Sequence, residues 1–348
     1  MSCFNGKHIK VEILGESHSA YMSVKGQNFP DFKVDKEKLY AFLERRKAVS
    51  KFSTPRKEKD FPVFESENVI ENGEFNAKIF NENVKSNDYD NLYGKPRPSH
   101  ADYSWYLKDE QLNFSGGGRF SGRLTAMLCI AGGIAKQYLE SKGVKIYSFI
   151  SQINGVKGKS FTDGATLQEV ENANLNPCYA ISNGEKMLER IENAKSQGDS
   201  VGGVAEVIVY DMIKGIGDNL FDGLDNKIAY SLFSVPAVKG VEFGSGFDGV
   251  ERLASEVNDQ MAFKDGKVEF LSNNSGGIVG GISNSQPINV KVAVKPTPTI
   301  FKEQQTVDLV NKETVKIKAQ GRHDSCILLR ALPCLESAVA LAILDEIL

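Results

Sequence analysis

Residues 116–126 read GGGRFSGRLTA and run directly into an apolar stretch of helical character, Arg123 to Leu139. Glycine-rich backbone that opens a helix presents bare N–H groups and the positive end of a helix dipole, so a bound anion is the first physical expectation. Two familiar anion loops can be laid against it. The pattern G-x-x-x-x-G-K-[ST] is nearly met from Gly117, but Arg123 stands for the lysine and Leu124 for the magnesium-binding hydroxyl, which argues against an ATPase. The dinucleotide pattern G-x-G-x-x-G fails because Ser121 occupies its third glycine. The stretch specifies an anion at a helix entrance without saying which anion.

Outward from this point the chain alternates strands and helices. His8 to Leu14 alternates as a strand, and Asp35 to Arg46 carries the Leu39, Phe42, Leu43 spacing of an amphipathic helix entered through an aspartate cap. Pro62 to Phe80 reads as two strands around Glu71-Asn72-Gly73, Asn-Gly being a favoured hairpin turn. Asn81 to Tyr103 is long, polar and aperiodic, and such a segment in a compact protein is usually either functional or disordered. Then come a strand at Val144 to Ile150, a helix at Gly184 to Lys195, a strand at Val204 to Asp211 and a helix at Asn226 to Phe233. Ala331 to Leu348 is the most apolar segment, but Glu336, Asp345 and Glu346 would be costly in a bilayer, so it is expected to be a core helix. Antiparallel strands mixed with helices summarise the pattern. At 348 residues, two lobes and one intimate α+β unit both remain open.

Net charge of −3 argues against nucleic acid as the partner, since phosphate neutralisation demands an excess of lysine and arginine. Five cysteines, odd in number and without a C-x-x-C pair, argue against a disulfide framework or zinc ribbon and suggest a reducing cytoplasm. Gly244-Ser-Gly246-Phe-Asp-Gly249 is a full G-x-G-x-x-G, preceded by the strand-like Val238 to Phe243 and followed, twenty residues on, by Glu269. Asp248 and Glu251 would repel a pyrophosphate there, so glycines in a strand-to-helix turn are the better reading. Of four histidines, His8 sits in an ordinary strand pattern. The other three lie in polar clusters flanked by glycine or proline: Gly15-Glu-Ser-His18, Arg97-Pro-Ser-His100-Ala-Asp102 and Gly321-Arg-His323-Asp324. Histidine titrates near neutrality, so it suits proton donation to a leaving group; a hydrogen-bonded structural histidine is the alternative for each one singly. No ligand spacing points to a metal.

These clusters, with Gly116-Gly-Gly-Arg-Phe-Ser-Gly-Arg123, Asp199-Ser-Val-Gly-Gly203, Pro236-Ala-Val-Lys-Gly-Val-Glu-Phe-Gly244, Asn274-Ser-Gly-Gly-Ile-Val-Gly-Gly-Ile282 and Lys295-Pro-Thr-Pro-Thr299, stand in the order found in chorismate synthases, which the chain resembles along nearly its whole length. The resemblance implies a single α+β unit over residues 1–348, a β-α-β sandwich with helices packed between antiparallel sheets, assembled as a homotetramer. It implies a redox-neutral lyase that removes phosphate and a ring hydrogen from 5-enolpyruvylshikimate 3-phosphate by trans-1,4-elimination, giving chorismate with reduced FMN bound and not consumed. NADPH reduces the flavin in some members; the altered basic loop here leans towards an external flavin reductase.

By the same likeness His18 protonates the departing phosphate, His100 protonates or hydrogen-bonds the flavin, Asp324 assists its N5, and Ser17 and Ser121 relay hydrogen bonds. Flavin contacts fall to Arg119, Phe120, Ser121, Ala237, Gly280, Lys295, Pro296, Thr297, Pro298, Thr299 and Arg322. Substrate anions fall to Arg46, Lys47, Lys51, Arg97, Arg123 and Arg322, arginine's planar fork being suited to two-point contact. The chain departs from the family pattern at Ser19, Ser99, Leu124, Ser325 and the loop Lys47-Ala-Val-Ser-Lys51, where lysine keeps the charge and loses the fork. Two other classes compete: a nicotinamide oxidoreductase built on Gly244 to Gly249, and a catalytically silent flavin- or phosphate-binding relative.

Overall fold

The computed structural model describes residues 1–16, 19–47, 59–81, 92–112, 114, 117–319 and 323–348. Ser17, His18, Lys51 and Arg322 lie outside the described residues. One five-stranded sheet has the order β1-β2-β3-β5-β4, from β1 (Ser2–Asn5), β2 (Lys10–Leu14), β3 (Tyr21–Gln27), β4 (Val63–Phe64) and β5 (Phe75–Phe80). A second has the order β7-β6-β8-β14-β9, from β6 (Lys145–Ile153), β7 (Val156–Lys157), β8 (Gly203–Tyr210), β9 (Val238–Phe243) and β14 (Ile288–Val294). Every strand pair is antiparallel. Smaller hairpins join β10 (Met261–Lys264) to β11 (Lys267–Phe270), β12 (Ile278–Val279) to β13 (Ile282–Ser283), and β15 (Glu303–Asp308) to β16 (Glu313–Lys318). The helices are α1 (Lys36–Glu44), α2 (Asp102–Asp109), α3 (Thr125–Ser141), α4 (Leu167–Ala173), α5 (Gly184–Ser196), α6 (Leu224–Phe233), α7 (Gly246–Gly249), α8 (Ala254–Val257) and α9 (Leu328–Ile347).

Local chemistry accounts for the elements that positioned well from sequence. Asp35 caps α1 by accepting from the Lys38 N–H at 3.1 Å. Asn72 and Gly73 both take positive φ, 53° and 74°, the conformation a tight hairpin turn demands, and β5 follows. In β14, Ile288, Val290, Val292 and Val294 point into the main core, and β8 does the same with Ala205, Val207 and Val209.

The helical layer lies between the sheets, so the expected β-α-β sandwich is borne out. Helix α3 touches β2 and β3 on one side and β6 on the other, while α9 packs on α3, α6, β6 and β8. Both are apolar nearly all round, as helices enclosed on every side must be. They approach so closely that a Cβ placed on Gly132 would come within 2.1 Å of the Ser337 Cβ. The Gly244 to Gly249 segment forms no nucleotide fold. Its strand β9 pairs antiparallel with β14, only the short α7 follows, and Glu269 lies on the β10–β11 hairpin facing Lys264. Arg123 also stands one turn earlier than the helix read from sequence, in the 3-10 turn Gly122–Leu124 that feeds α3.

One carboxylate sits inside this layer. Glu336 of α9 is fully buried, with Arg45 donating from Nη1 and Nη2 at 3.0 and 2.7 Å, Lys136 at 2.6 Å and the Ser148 hydroxyl at 2.6 Å. Burial alone would push its carboxyl up; Arg45 and Lys136 outweigh that and hold it down at about 2. A depressed folded-state value stabilises above the ordinary carboxyl value and is lost as pH falls through the folded one, so this contribution should disappear between 4.5 and about 2. Glu336→Gln leaves two partly buried cations without their shared anion and should cost about 3 kcal/mol, read as a lower urea midpoint at neutral pH. An unchanged midpoint would show that the network does not hold the layer together.

Candidate functional site

Three helix N-termini converge on one cavity of about 1320 Å³. The N-cap residues of α2, α3 and α9, Ala101, Leu124 and Ile327, all line it, and none makes a side-chain capping bond. At α9 the Cys326 thiol accepts from the Leu328 and Leu329 N–H groups, and at α3 the Gly122 carbonyl takes the Thr125 N–H, so it is the three dipole ends, more than bare N–H groups, that favour an anion in the space between them. The C-terminal half of α6, residues 230–234, closes another side, and residues 236–239 and 295–299 border it from the second sheet.

Of the residues assigned from sequence, the cavity gathers His100, Asp324, Ser121, Arg119, Phe120, Ala237, Lys295, Thr297, Pro298, Thr299, Arg46, Lys47, Arg97 and Arg123. Pro296 sits between two lining residues without lining the cavity itself. Gly280 is elsewhere, between β12 and β13. There the Leu224 N–H at the start of α6 donates to Gly281, and α6 meets the cavity only from Tyr230 onward, roughly 9 Å further along its axis.

The polar contacts sort these groups into different tasks. Asp102 joins Arg97 and His100: its Oδ2 accepts from Arg97 Nε at 2.7 Å and its Oδ1 from Arg97 Nη2 at 2.8 Å. His100 Nδ1 lies 2.5 Å from the same Oδ1, so Nδ1 carries its proton towards Asp102, and the ring's Nε2 is left as the nitrogen that exchanges a proton. Burial would raise the Asp102 carboxyl, but bonds from Arg97 and His100 hold it at about 2. Arg46 is buried and committed to protein: Nε donates to Thr125 Oγ1 at 2.9 Å, Nη1 to Asp60 at 3.1 Å and Nη2 to the carbonyls of Gly122 and Arg123 at 2.8 and 3.1 Å. Arg123 Nε donates to Asn81 at 2.7 Å and Nη1 to Asp60 at 2.6 Å. Lys47 pairs with Glu44 on the last turn of α1.

On the opposite wall Arg119 lies over the Trp105 ring at 4.6 Å, and Phe120 meets the same ring edge-on. The Ser121 hydroxyl accepts from the Arg123 N–H at 3.2 Å, which leaves its own proton to donate. Lys295 donates to the Ser99 carbonyl at 2.6 Å, and burial, with the Lys239 charge, pulls it below its ordinary value. Asp324 accepts from Arg330 at 2.7 Å. Ser99 and Ala237 both take positive φ, 58° and 74°, strained backbone of the kind found at functional sites. Leu124, unexplained in sequence, packs against the main core at the inner wall.

Sequence reasoning missed Asp60, Trp105, Thr125, Asn81 and Arg330, each of which holds an assigned residue. No local pattern marks them. That these helices begin without an ordinary N-cap was legible in principle, since Ala101, Leu124 and Ile327 lack the side-chain oxygen. Among the described residues no cluster could hold a metal ion and no helix is long and apolar enough to cross a membrane.

The description of the family model that matches residues 9–348 is chorismate synthase. A chorismate synthase of Pyrococcus abyssi is 40% identical, the match covering 99% of this chain and 97% of that one. One of Thermococcus kodakarensis is 39% identical with the same coverage. A solved structure described as the crystal structure of chorismate synthase superposes with a TM-score of 0.76 at 24% identity, over 98% of this chain and 92% of that one, and supports the fold.

The Asp102 contact yields a test independent of any activity. Asp102→Asn removes the acceptor that holds the Nδ1 proton, so nitrogen-detected histidine NMR should show His100 moving from the Nδ1–H tautomer towards a mixture. An unchanged tautomer would mean that another group sets it.

Proposed function

The chain belongs to the chorismate synthase family of lyases, and on that premise we propose that the cavity eliminates phosphate and a ring proton from 5-enolpyruvylshikimate 3-phosphate, giving chorismate. The observation that carries the reading is the meeting of three helix N-termini with Arg97, Arg119, Arg123, Lys295 and His100 around one cavity. A substrate with a phosphate and two carboxylates needs such a set of fixed positive groups.

Reduced FMN is the cofactor proposed. Thr297 Oγ1 is buried without a partner among the described residues, and with Arg119, Ser121, Ala237, Lys295 and Thr299 it offers the mixed polar wall that a flavin phosphate and ring edge require. When bound, the flavin supplies transient electron density to the substrate without net redox change. The protein's own groups do the rest. Arg97 and Arg123 hold the substrate's anionic groups, and Arg46 and Lys47 support that wall. His18, with Ser17, donates the proton that lowers charge on the leaving phosphate oxygen. His100 exchanges its proton at Nε2, Ser121 relays a hydrogen bond, and Asp324, held by Arg330, steers the departing ring proton. Lys51 and Arg322 complete the cationic set.

The unit spans residues 1–348, works in the cytoplasm and assembles as a homotetramer. Exposed apolar side chains support assembly: Phe221, Phe247, Val250, Leu253 and Phe263 are all more than two thirds in solvent, a burden a lone chain seldom carries. A flavin contact through Gly280 requires a second copy, since that glycine lies off its own cavity. Flavin reduction falls to bound NADPH or to an external reductase, and Lys47, without the two-point fork of an arginine, favours the reductase.

An anaerobic assay with photoreduced FMN and the enolpyruvyl phosphate tests the reading through phosphate and chorismate release. Release no greater than the flavin-only control would sink it. Given turnover, His18→Ala should slow it by roughly a hundredfold, the usual scale for a general acid; an unchanged rate removes His18 from that task.

A further inference from the structure

We infer that Asp60 is a positioning residue for substrate binding: its single carboxylate, anchored on Arg46, sets the direction in which Arg123 presents its guanidinium to the cavity. The inference rests on the proposed reading of this cavity as the site of phosphate elimination.

Asp60 is 9% exposed and stands on the cavity wall at the crossing of two arginines. Its Oδ1 accepts from Arg123 Nη1 at 2.6 Å and its Oδ2 from Arg46 Nη1 at 3.1 Å. The two arginines are not equivalent. All three nitrogens of Arg46 donate within the protein, to Thr125, to Asp60 and to the two carbonyls of the turn that opens α3, so its fork is a fixed post. Arg123 rises from that same turn on a flexible stem. Asn81 holds its Nε at 2.7 Å and Asp60 holds its Nη1, and two acceptors on separate segments determine the plane of the fork. A guanidinium already oriented loses less freedom on meeting an anion.

The residue type follows from the same geometry. Two adjacent guanidinium groups repel, and only an anion with two acceptor oxygens can serve both; an asparagine has one acceptor and would turn donors on the other arginine. Asp60 has φ 45°, a conformation aspartate and asparagine tolerate better than most residues. Asp60→Asn therefore keeps size and backbone and removes the charge and one acceptor.

An arginine that grips the substrate in both ground and transition state affects binding more than the chemical step. In the anaerobic assay, Asp60→Asn should raise KM for the enolpyruvyl phosphate roughly tenfold or more, the scale of a lost charge-assisted contact, while kcat changes by less than about threefold. Because Asp60 acts through Arg123, the same substitution placed on Arg123→Met should add less than about twofold. A KM within about twofold of wild type, an effect that multiplies on Arg123→Met, or a fall in kcat at constant KM overturns the inference. Calorimetric binding of the same compound supplies a readout without turnover. Wild-type protein that binds it and releases no phosphate overturns the lyase reading, and weakened binding by Asp60→Asn still decides for Asp60; wild-type turnover with Asp60→Asn unchanged overturns Asp60 alone. Wild-type protein that fails to bind overturns both. If Asp60→Asn does not fold, Asp60→Glu keeps the charge and displaces it by one methylene: a raised KM supports the assignment and an unchanged one overturns it.

Discussion

The fully buried Glu336 carboxylate is the contact on which the layered structure turns. It takes donors from the C-cap of α1, from α3 and from β6, so one anion joins three elements to α9. Removing such a charge from water is expensive, and its attraction to Arg45 and Lys136 repays the desolvation only while every donor stays in place. That demand fixes more than stability. Arg45 is followed at once by Arg46, and the pair reaches in two directions, one guanidinium into the core and the other beneath the turn that opens α3. The position of the cavity wall is thereby tied to the packing of the helical layer.

A sandwich with helices inside has a further consequence for electrostatics. Helices α3 and α9 are long, apolar and enclosed, so their ends are the places where unsatisfied backbone groups must be met. With α2, both open on the same cavity, and none of the three N-cap residues supplies a side-chain cap. The protein thus collects partial positive charge in one place although its net charge is −3. Arginines deepen that field, and the acidic residues Asp60, Asp102 and Asp324 orient the cations and the histidine around it.

Legibility followed the range of the interaction. The aspartate cap of α1, the Asn-Gly hairpin and the apolar period of α3, α5, α6 and α9 depend on neighbours within a few residues, and the sequence displays them. Strand β14 went unread although Ile288 to Val294 alternates with the period of a strand, so its omission owes nothing to the range of the interaction. The dinucleotide-like glycines misled only locally: strand direction, which excludes a nucleotide crevice, is a property of pairing and not of the motif.

By itself the sequence determined that this is a mixed α+β protein with glycines and arginines gathered at a helix entrance, and its ordered motifs determined the family. Those features rest on backbone freedom at glycine, on hydrophobic period and on residue identity. Only the tertiary structure decided which cations line the cavity and which are braces. Arg46 meets Asp60 across 14 residues, Arg123 meets Asp60 across 63, Lys295 meets Ser99 across 196 and Arg45 meets Glu336 across 291. A guanidinium looks the same in a sequence whether its donors face a ligand or a buried carboxylate, and the difference is made by what the folded chain places 3 Å away.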